Sequence, residues 1–309
     1  MSRHKLMPRA LRFVIAIVLM MGADSVRPST RLLASSEGKN GAASQSAQGA
    51  TLKPAAATAP DIPFNDYDPE AEQQLLNLTN QARAQAGAPR LTLDAGMSQA
   101  ARAHAEAMFT ARQLSHQFEG EPSLPQRLGA ATPTLLDQEG ENIALDADAV
   151  QAEEHLMLSP PHRANLLNPA YNVVGLGVVR SGDRLYVVQD FGHALPNYSA
   201  AEVKDRIAAA VAQARHQANQ PDLARSDLPT ADDAACSMAQ TDKLGTSPVH
   251  QLAQRYTVLT YTSLHPETLP ANASHALASH NLRSFSIGAC YARTATYPTG
   301  VYWVVLSLE

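Results

Sequence analysis

The chain has 309 residues, which exceeds what one hydrophobic core usually organises and favours two domains plus non-globular segments. It is 45% hydrophobic but only 5% aromatic, so its cores should be small and rich in helix. The formal net charge of -5 leaves no broad cationic surface, which argues against nucleic acid as a partner.

The N-terminus has the pattern of an export signal. Basic residues precede an apolar run at 13–21, and Ala23 offers a cleavage point. A membrane anchor is the alternative, but a span needs about 20 apolar residues and this run is shorter. We therefore predict a signal peptide at 1–23, no membrane span in the mature protein, and a location that is secreted, periplasmic or in the cell envelope.

The next segment, residues 24–65, is dominated by small and polar residues without hydrophobic periodicity. Such a composition cannot bury enough apolar surface to offset the entropy of ordering, so we expect a disordered linker. Order is predicted to begin at Asp68, an N-cap residue followed by Pro69 at the first helical position.

Apolar periodicity and breakers predict several elements after the linker. Three helices are expected, the first ended by Gly87 and the third by the prolines that follow Ser159. A hairpin should follow, and Ser199 with Glu202 forms a capping box for a further helix. In chain order the predicted ranges are 68–86, 97–112, 148–159, 173–179, 185–191 and 199–218.

Six short segments follow one another along this region. They are Asn80-Gln81-Ala82-Arg83, Ala101-Arg102-Ala103-His104-Ala105, Ser115-His116, Gly140-Glu141-Asn142-Ile143-Ala144, Ser159-Pro160-Pro161-His162-Arg163-Ala164-Asn165-Leu166-Leu167 and Val174-Gly175-Leu176-Gly177-Val178. In this order they closely resemble a bacterial CAP domain (cysteine-rich secretory, antigen-five, pathogenesis-related). The resemblance covers residues 66–195 and implies an α-β-α sandwich with a cleft on one face.

The resemblance also implies the residues of that cleft. His116 and His162 correspond to its paired histidines and Glu141 to its first glutamate. In some members such histidines hold a divalent ion, often zinc. Neutral imidazole is a good zinc ligand, but two nitrogens alone make an open and weak site. No other cofactor is expected.

The second cleft glutamate of the family, on the third helix, has no clear counterpart. The usual Trp is replaced by Leu156, and Glu153 and Glu154 are the acids available. Glu154 falls at helical steps from Val150 and Met157, so we predict that Glu154 points inward. The alternative is that both acids are solvated.

The C-terminal region, residues 196–309, echoes the first domain. Gln213-Ala214-Arg215, followed by Pro221 and Leu223, repeats Gln81-Ala82-Arg83, followed by Pro89 and Leu91, at one constant offset. We predict a smaller, diverged CAP-like α/β unit, with chance similarity between Ala-rich helices as the alternative.

The two cysteines of the chain, Cys236 and Cys290, both lie in this region. Export would place them in an oxidising compartment, so we expect a disulfide from helix to strand, with free thiols as the alternative. A helix beginning near Cys236 should be capped by Thr230 with Asp233.

We interpret the chain as a non-catalytic binding module with a His/Glu cleft for a metal or ligand. Its partner would be a lipid, protein or cell-envelope ligand. The alternative is a hydrolase or protease that uses the same cleft, either through a metal-bound water or through Ser115.

Overall fold

The structure is a computed structural model that describes residues 67–309, so the predicted signal peptide (1–23) and linker (24–65) lie outside the described residues. The first half of this part, residues 67–195, contains α1 (Pro69–Ala86), β1 (Thr92–Leu93), α2 (Ala95–Ala111), α3 (Leu124–Ala131), β2 (Leu135–Asp146), α4 (Ala149–Leu158), α5 (Pro160–Leu166), β3 (Val173–Ser181) and β4 (Arg184–Leu195). The second half, residues 196–309, contains α6 (Ala200–Gln217), β5 (Ala224–Arg225), α7 (Pro229–Thr241), α8 (Ser247–Leu252), β6 (Thr257–Ser263), α9 (Ala271–Leu277), β7 (Ser284–Ala292) and β8 (Val301–Leu308).

Local signals set the ends of the first helix. The Asp68 carboxylate accepts a hydrogen bond from the Ala71 N–H at 2.9 Å and so satisfies one of the free donors of the first turn. Gly87 ends the helix at φ 73°, a left-handed conformation that glycine adopts without strain. These signals place α1 where the sequence predicts it.

The two halves contain sheets of the same topology. The first sheet has the order β1-β3-β4-β2, with β1 parallel to β3 and the other pairs antiparallel. The second has the order β5-β7-β8-β6, with the same directions at each position. Helices pack on both sheets, so the predicted α-β-α sandwich is confirmed for the first half, and the second half is a smaller α/β unit with the same sheet topology.

One helix packs closely against each sheet at a corresponding glycine. A Cβ on Gly177 of β3 would lie 2.2 Å from the Ala101 carbonyl carbon in α2. A Cβ on Gly288 of β7 would lie 1.9 Å from the Ala231 carbonyl oxygen in α7. Glycine at these positions permits the close approach of helix to strand in both halves.

The second half is joined internally by a disulfide. Cys236 in α7 is bonded to Cys290 in β7, as expected from the sequence. The predicted cap of this helix is wrong, because α7 begins at Pro229, after Leu228, without a side-chain cap. Pro229 lacks an N–H and has its φ preset, so this end needs fewer capping partners.

Two expectations about the first half also differ from the structure. The prolines after Ser159 do end α4, but Pro160 then opens the separate helix α5, since proline is tolerated in a first turn. Strand β2 and helix α3 were not predicted. Among residues 67–309, which form one compact unit, no helix has the length and apolarity of a membrane span.

Candidate functional site

Strand β2 lies at an edge of the first sheet and carries two residues that contact the segments of both predicted histidines. Its successive side chains point to opposite faces, so Glu141 and Asn142 face different sides. On one side, Nδ1 of His116 lies 2.8 Å from Oε1 of Glu141. On the other, the Asn142 amide donates to the His162 carbonyl oxygen at 3.1 Å. We call His116, Glu141 and His162 the edge-strand site.

Glu141 is fixed from the protein side. Its side chain is buried, and Arg127 of α3 donates a hydrogen bond to Oε2. The same guanidinium donates to the His116 carbonyl oxygen at 3.2 Å. Arg127 therefore holds both the Glu141 carboxylate and the backbone of His116. Hydrogen bonds from a charged guanidinium are stronger than those between neutral groups.

A buried histidine, His104, lies beside this pair. His104 Nδ1 is 2.6 Å from Oε1 of Glu121, and Nε2 is 2.8 Å from the Ser115 carbonyl oxygen. Burial opposes ionisation of Glu121, but hydrogen bonds from the Phe118 N–H and His104 lower its pKa. His104 thus fastens the backbone immediately before His116.

Asp190 of β4 is paired with Glu141 across the strands and is fully buried. Burial, and next the charge of Glu141, raises the pKa of Asp190 well above its usual range. The protonated form of Asp190 is therefore favoured in the folded protein.

The two imidazoles differ in exposure. The His116 side chain is 57% exposed, whereas His162 is half-buried. Burial, and after it the charge of His116, lowers the pKa of His162. The neutral form of His162 is therefore favoured.

The expectation that Glu154 points inward is wrong. Glu154 is exposed, and its neighbour Glu153 is the buried acid. The buried face of α4 is built on Ala149, Ala152 and Leu156. These residues follow helical spacing as well as Val150, Glu154 and Met157 do. Because two of them are small alanines, their apolar pattern in the sequence is weak.

Glu153 is connected to His162 by side-chain amides. Oε2 of Glu153 lies 3.3 Å from the Gln189 amide nitrogen, and Oε1 of Gln189 accepts from Asn142 at 3.3 Å. Asn142 is the residue that donates to the His162 backbone, and Asn165 donates to Asn142 at 3.0 Å. A buried polar chain therefore runs from α4 to the segment that carries His162.

Ser115 is not arranged as a nucleophile. Its hydroxyl donates to the Gln117 carbonyl oxygen at 2.7 Å and contacts no imidazole among the described residues. His104 touches the carbonyl group of Ser115 instead of its hydroxyl. The pairing of hydroxyl and base that a serine hydrolase needs is thus not formed in this part of the chain.

The second half does not repeat the site. When the two sheets are matched through the registers of β1 with β3 and of β5 with β7, the pair Glu141 and Asp190 corresponds to Val258 and Ser307. A buried carboxyl pair is thus replaced by a valine and a serine. The polar cluster belongs to the first half.

Within residues 67–309, no group of three or more His, Cys, Asp or Glu side chains is arranged to hold a metal ion. Glu141 is already engaged by His116 and Arg127, so only imidazole nitrogens of the edge-strand site are left to bind an ion. Two imidazoles alone would leave such an ion open to water, unlike a closed structural site.

Two contributors were missed from the sequence although local signals existed. Arg127 lies in α3, whose start is marked by the capping box of Ser123 and Gln126. Asp190 is a charged residue within the mostly apolar run 185–191, which is itself a sign of a buried polar site.

The sequence of the first half is similar to known proteins. The model of the cysteine-rich secretory protein family, CAP, matches residues 76–191. The uncharacterized membrane protein YlbC of Bacillus subtilis (strain 168) is 34% identical over 145 residues, which cover 47% of this chain and 40% of the relative. The uncharacterized protein YkwD of the same organism is 32% identical over 115 residues, covering 36% and 43%. The chain thus spans about two-fifths of the length of these curated relatives.

Among solved structures, an extracellular SCP-domain protein from Bacillus anthracis str. Ames shares 30% identity over 41% of each chain, with a TM-score of 0.37. Na-ASP-1 shares 10% identity over 81% of this chain and 91% of its own, with a TM-score of 0.45. The family match coincides with the half of the structure that holds the edge-strand site. The chain therefore contains a CAP domain, the domain of the cysteine-rich secretory protein family, at residues 76–191.

Proposed function

We propose that the CAP domain is a non-catalytic binding module whose ligand contacts the edge-strand site. The observation that carries this proposal is the fixation of Glu141 by His116 and Arg127. A carboxylate held by two partners is suited to orienting an imidazole toward a ligand. It is poorly suited to a catalytic base, which must exchange its proton freely.

The same arrangement supports binding of a divalent ion such as zinc. Because Nδ1 of His116 is bonded to Glu141, Nε2 is the nitrogen left for an ion, and His162 would be the second ligand. A carboxylate behind a ligating histidine fixes its tautomer and raises its basicity. A bound zinc would supply an electrophilic contact for an oxygen of the ligand.

The export signal predicted at 1–23 would place this module outside the cytoplasm. Its binding partner would then be a lipid, protein or envelope component met there. The position of Ser115 supports binding over the serine hydrolase alternative, because its hydroxyl is committed to the Gln117 backbone.

The proposal is tested by zinc titration calorimetry on three proteins. Wild type should bind one zinc ion, and His116→Ala/His162→Ala should bind at least tenfold more weakly. The control His216→Ala/His280→Ala, which removes two exposed imidazoles of the second half, should retain binding. Equal affinity in all three proteins would refute the metal part of the proposal.

The non-catalytic part has its own test. Wild type and Ser115→Ala should cleave ester and peptide substrates no faster than the double histidine variant does. Turnover that depends on Ser115 or on the histidine pair would establish the hydrolase alternative instead.

A further inference from the structure

A cavity of about 380 Å³ lies between the first and second halves. Its walls are the start of α3, part of β2 and the segment 295–300 of the second half. This volume suits a small organic molecule and greatly exceeds a single ion. Neither His116 nor His162 lines it, so it is distinct from the edge-strand site.

The wall from the second half is held firmly against the first. The Thr299 hydroxyl donates to the Leu136 carbonyl oxygen at 3.1 Å, and Arg293 donates to the Gly129 carbonyl oxygen. Asp242 fixes the same segment through the hydroxyl and N–H of Thr296. The cavity is therefore a preformed feature of the folded chain.

The charge inside the cavity is negative. Asp137 and Glu139 of β2 line it, and no Lys or Arg is among the described residues that do so. A bulge between Leu136 and Gln138 takes Asp137 out of the strand register. There His193, at 2.7 Å, and His265, at 3.4 Å, engage its carboxylate.

Glu139 is left without such partners. It is half-buried, and among residues 67–309 no hydrogen bond or ion pair to its carboxylate is found. Burial, and after it the charge of Asp137, raises the pKa of Glu139. A cation in the cavity would relieve this unfavourable burial of negative charge.

The remaining lining is suited to a hydrocarbon part. Pro125, Leu264, Tyr297 and Pro298 contribute apolar surface from both halves. We propose that this cavity binds a small aliphatic amine, whose ammonium group pairs with Glu139 and whose chain lies against these residues. The second half thereby has a role of its own, since it forms one wall of the amine site.

The experiment uses cadaverine as the probe and calorimetry at low salt, because an ion pair of this kind is weakened by screening. Wild type should bind cadaverine saturably and should not bind 1,5-pentanediol, which has the same length without charge. Glu139→Gln should weaken cadaverine binding at least tenfold. Ala295→Trp, which fills the cavity from the second half, should do the same.

Two controls match these variants. Glu154→Gln removes an exposed carboxylate of α4, and Ala84→Trp places the same bulk on an exposed position of α1. Both should bind cadaverine as wild type does. The assignment is overturned if wild type shows no saturable binding, or if Glu139→Gln binds equally well. Loss of binding in His116→Ala/His162→Ala would also overturn it, since the amine would then occupy the edge-strand site.

Discussion

Arg83 and Arg215 make three matching hydrogen bonds at corresponding positions of the two halves. Arg83 donates from Nε to the Pro89 carbonyl oxygen at 2.7 Å, and Arg215 donates from Nε to that of Pro221 at 2.9 Å. Each guanidinium also donates from one terminal nitrogen to two carbonyl oxygens after a short helix, those of Leu166 and Asn168 or of Leu277 and Ser279. Both side chains are completely buried, so each arginine fastens one helix connection to the core of its half.

Replacement of Arg215 should therefore destabilise the second half. Arg215→Met removes three hydrogen bonds and leaves buried carbonyl groups unpaired, which should lower the free energy of unfolding by about 3 kcal/mol or more. Urea denaturation followed by circular dichroism measures the change. Arg90→Met, at an exposed position, is the control and should change stability by less than about 0.5 kcal/mol. Similar losses in the two variants would show that Arg215 has no such role.

The sequence predicted what local signals control. The ends of α1 follow from Asp68, Pro69 and Gly87, and the constant offset between Arg83 and Arg215 predicted the duplicated unit. Strand β2 was not predicted because Gly140, Glu141 and Asn142 interrupt its apolar alternation. Those same polar residues are the ones that build the site.

Which acid of α4 is buried could not be predicted from the sequence. Glu153 and Glu154 are adjacent, so the choice between them depends on the rotation of the helix against α1 and the sheet. That rotation is set by the packing of Ala152 and Leu156, both buried. Adjacent residues in an α-helix are rotated by about 100° about the helix axis, which is enough to separate a core residue from an exposed one.

Burial of Glu153 predicts a pH-dependent stability. Burial raises the pKa of Glu153 from 4.5 to about 7, against the opposing hydrogen bonds of Thr79 and Gln189. The folded state therefore holds this proton more tightly than the unfolded chain does. The free energy of unfolding should fall as pH rises from 4.5 through about 7, by about 3 kcal/mol in total.

Glu153→Gln isolates this contribution, since glutamine is neutral at every pH and similar in shape. Urea denaturation between pH 4.5 and 8.5 should show a smaller loss of stability with rising pH in the variant than in wild type. Glu154→Gln should follow the wild-type curve, because Glu154 is exposed. Parallel curves for wild type and Glu153→Gln would contradict the buried position of this carboxyl.

The disulfide should stabilise the second half. Cys236 and Cys290 are 54 residues apart, and closing a loop of that size restricts the unfolded chain by about 4 kcal/mol in the chain-entropy model. Cys236→Ala/Cys290→Ala should therefore lower the free energy of unfolding by a similar amount. Chemical denaturation with and without reductant gives the measurement, and reductant should leave the variant unchanged. If mass spectrometry shows that the disulfide is fully reduced and the stability of wild type is nevertheless unchanged, the bridge contributes little.

The effect of the His116 charge on His162 predicts a coupled titration. Burial accounts for most of the lowering of the pKa of His162, and the charge of His116 adds to it. His116→Ala should therefore raise the pKa of His162 while leaving it below 6.5. Proton NMR of the His162 ring across the pH range measures this shift. A His162 titration curve identical to that of wild type would place the rings too far apart to interact.

The central claim is that His116 and His162 form one binding site beside Glu141. Nitrogen-15 spectra of the histidine side chains during zinc titration test this claim most directly, because the 11 histidines report separately. We expect the His116 and His162 signals to shift together and reach saturation at one equivalent of zinc, before the other histidines respond. Shifts at other histidines first, or at only one of this pair, would contradict the account.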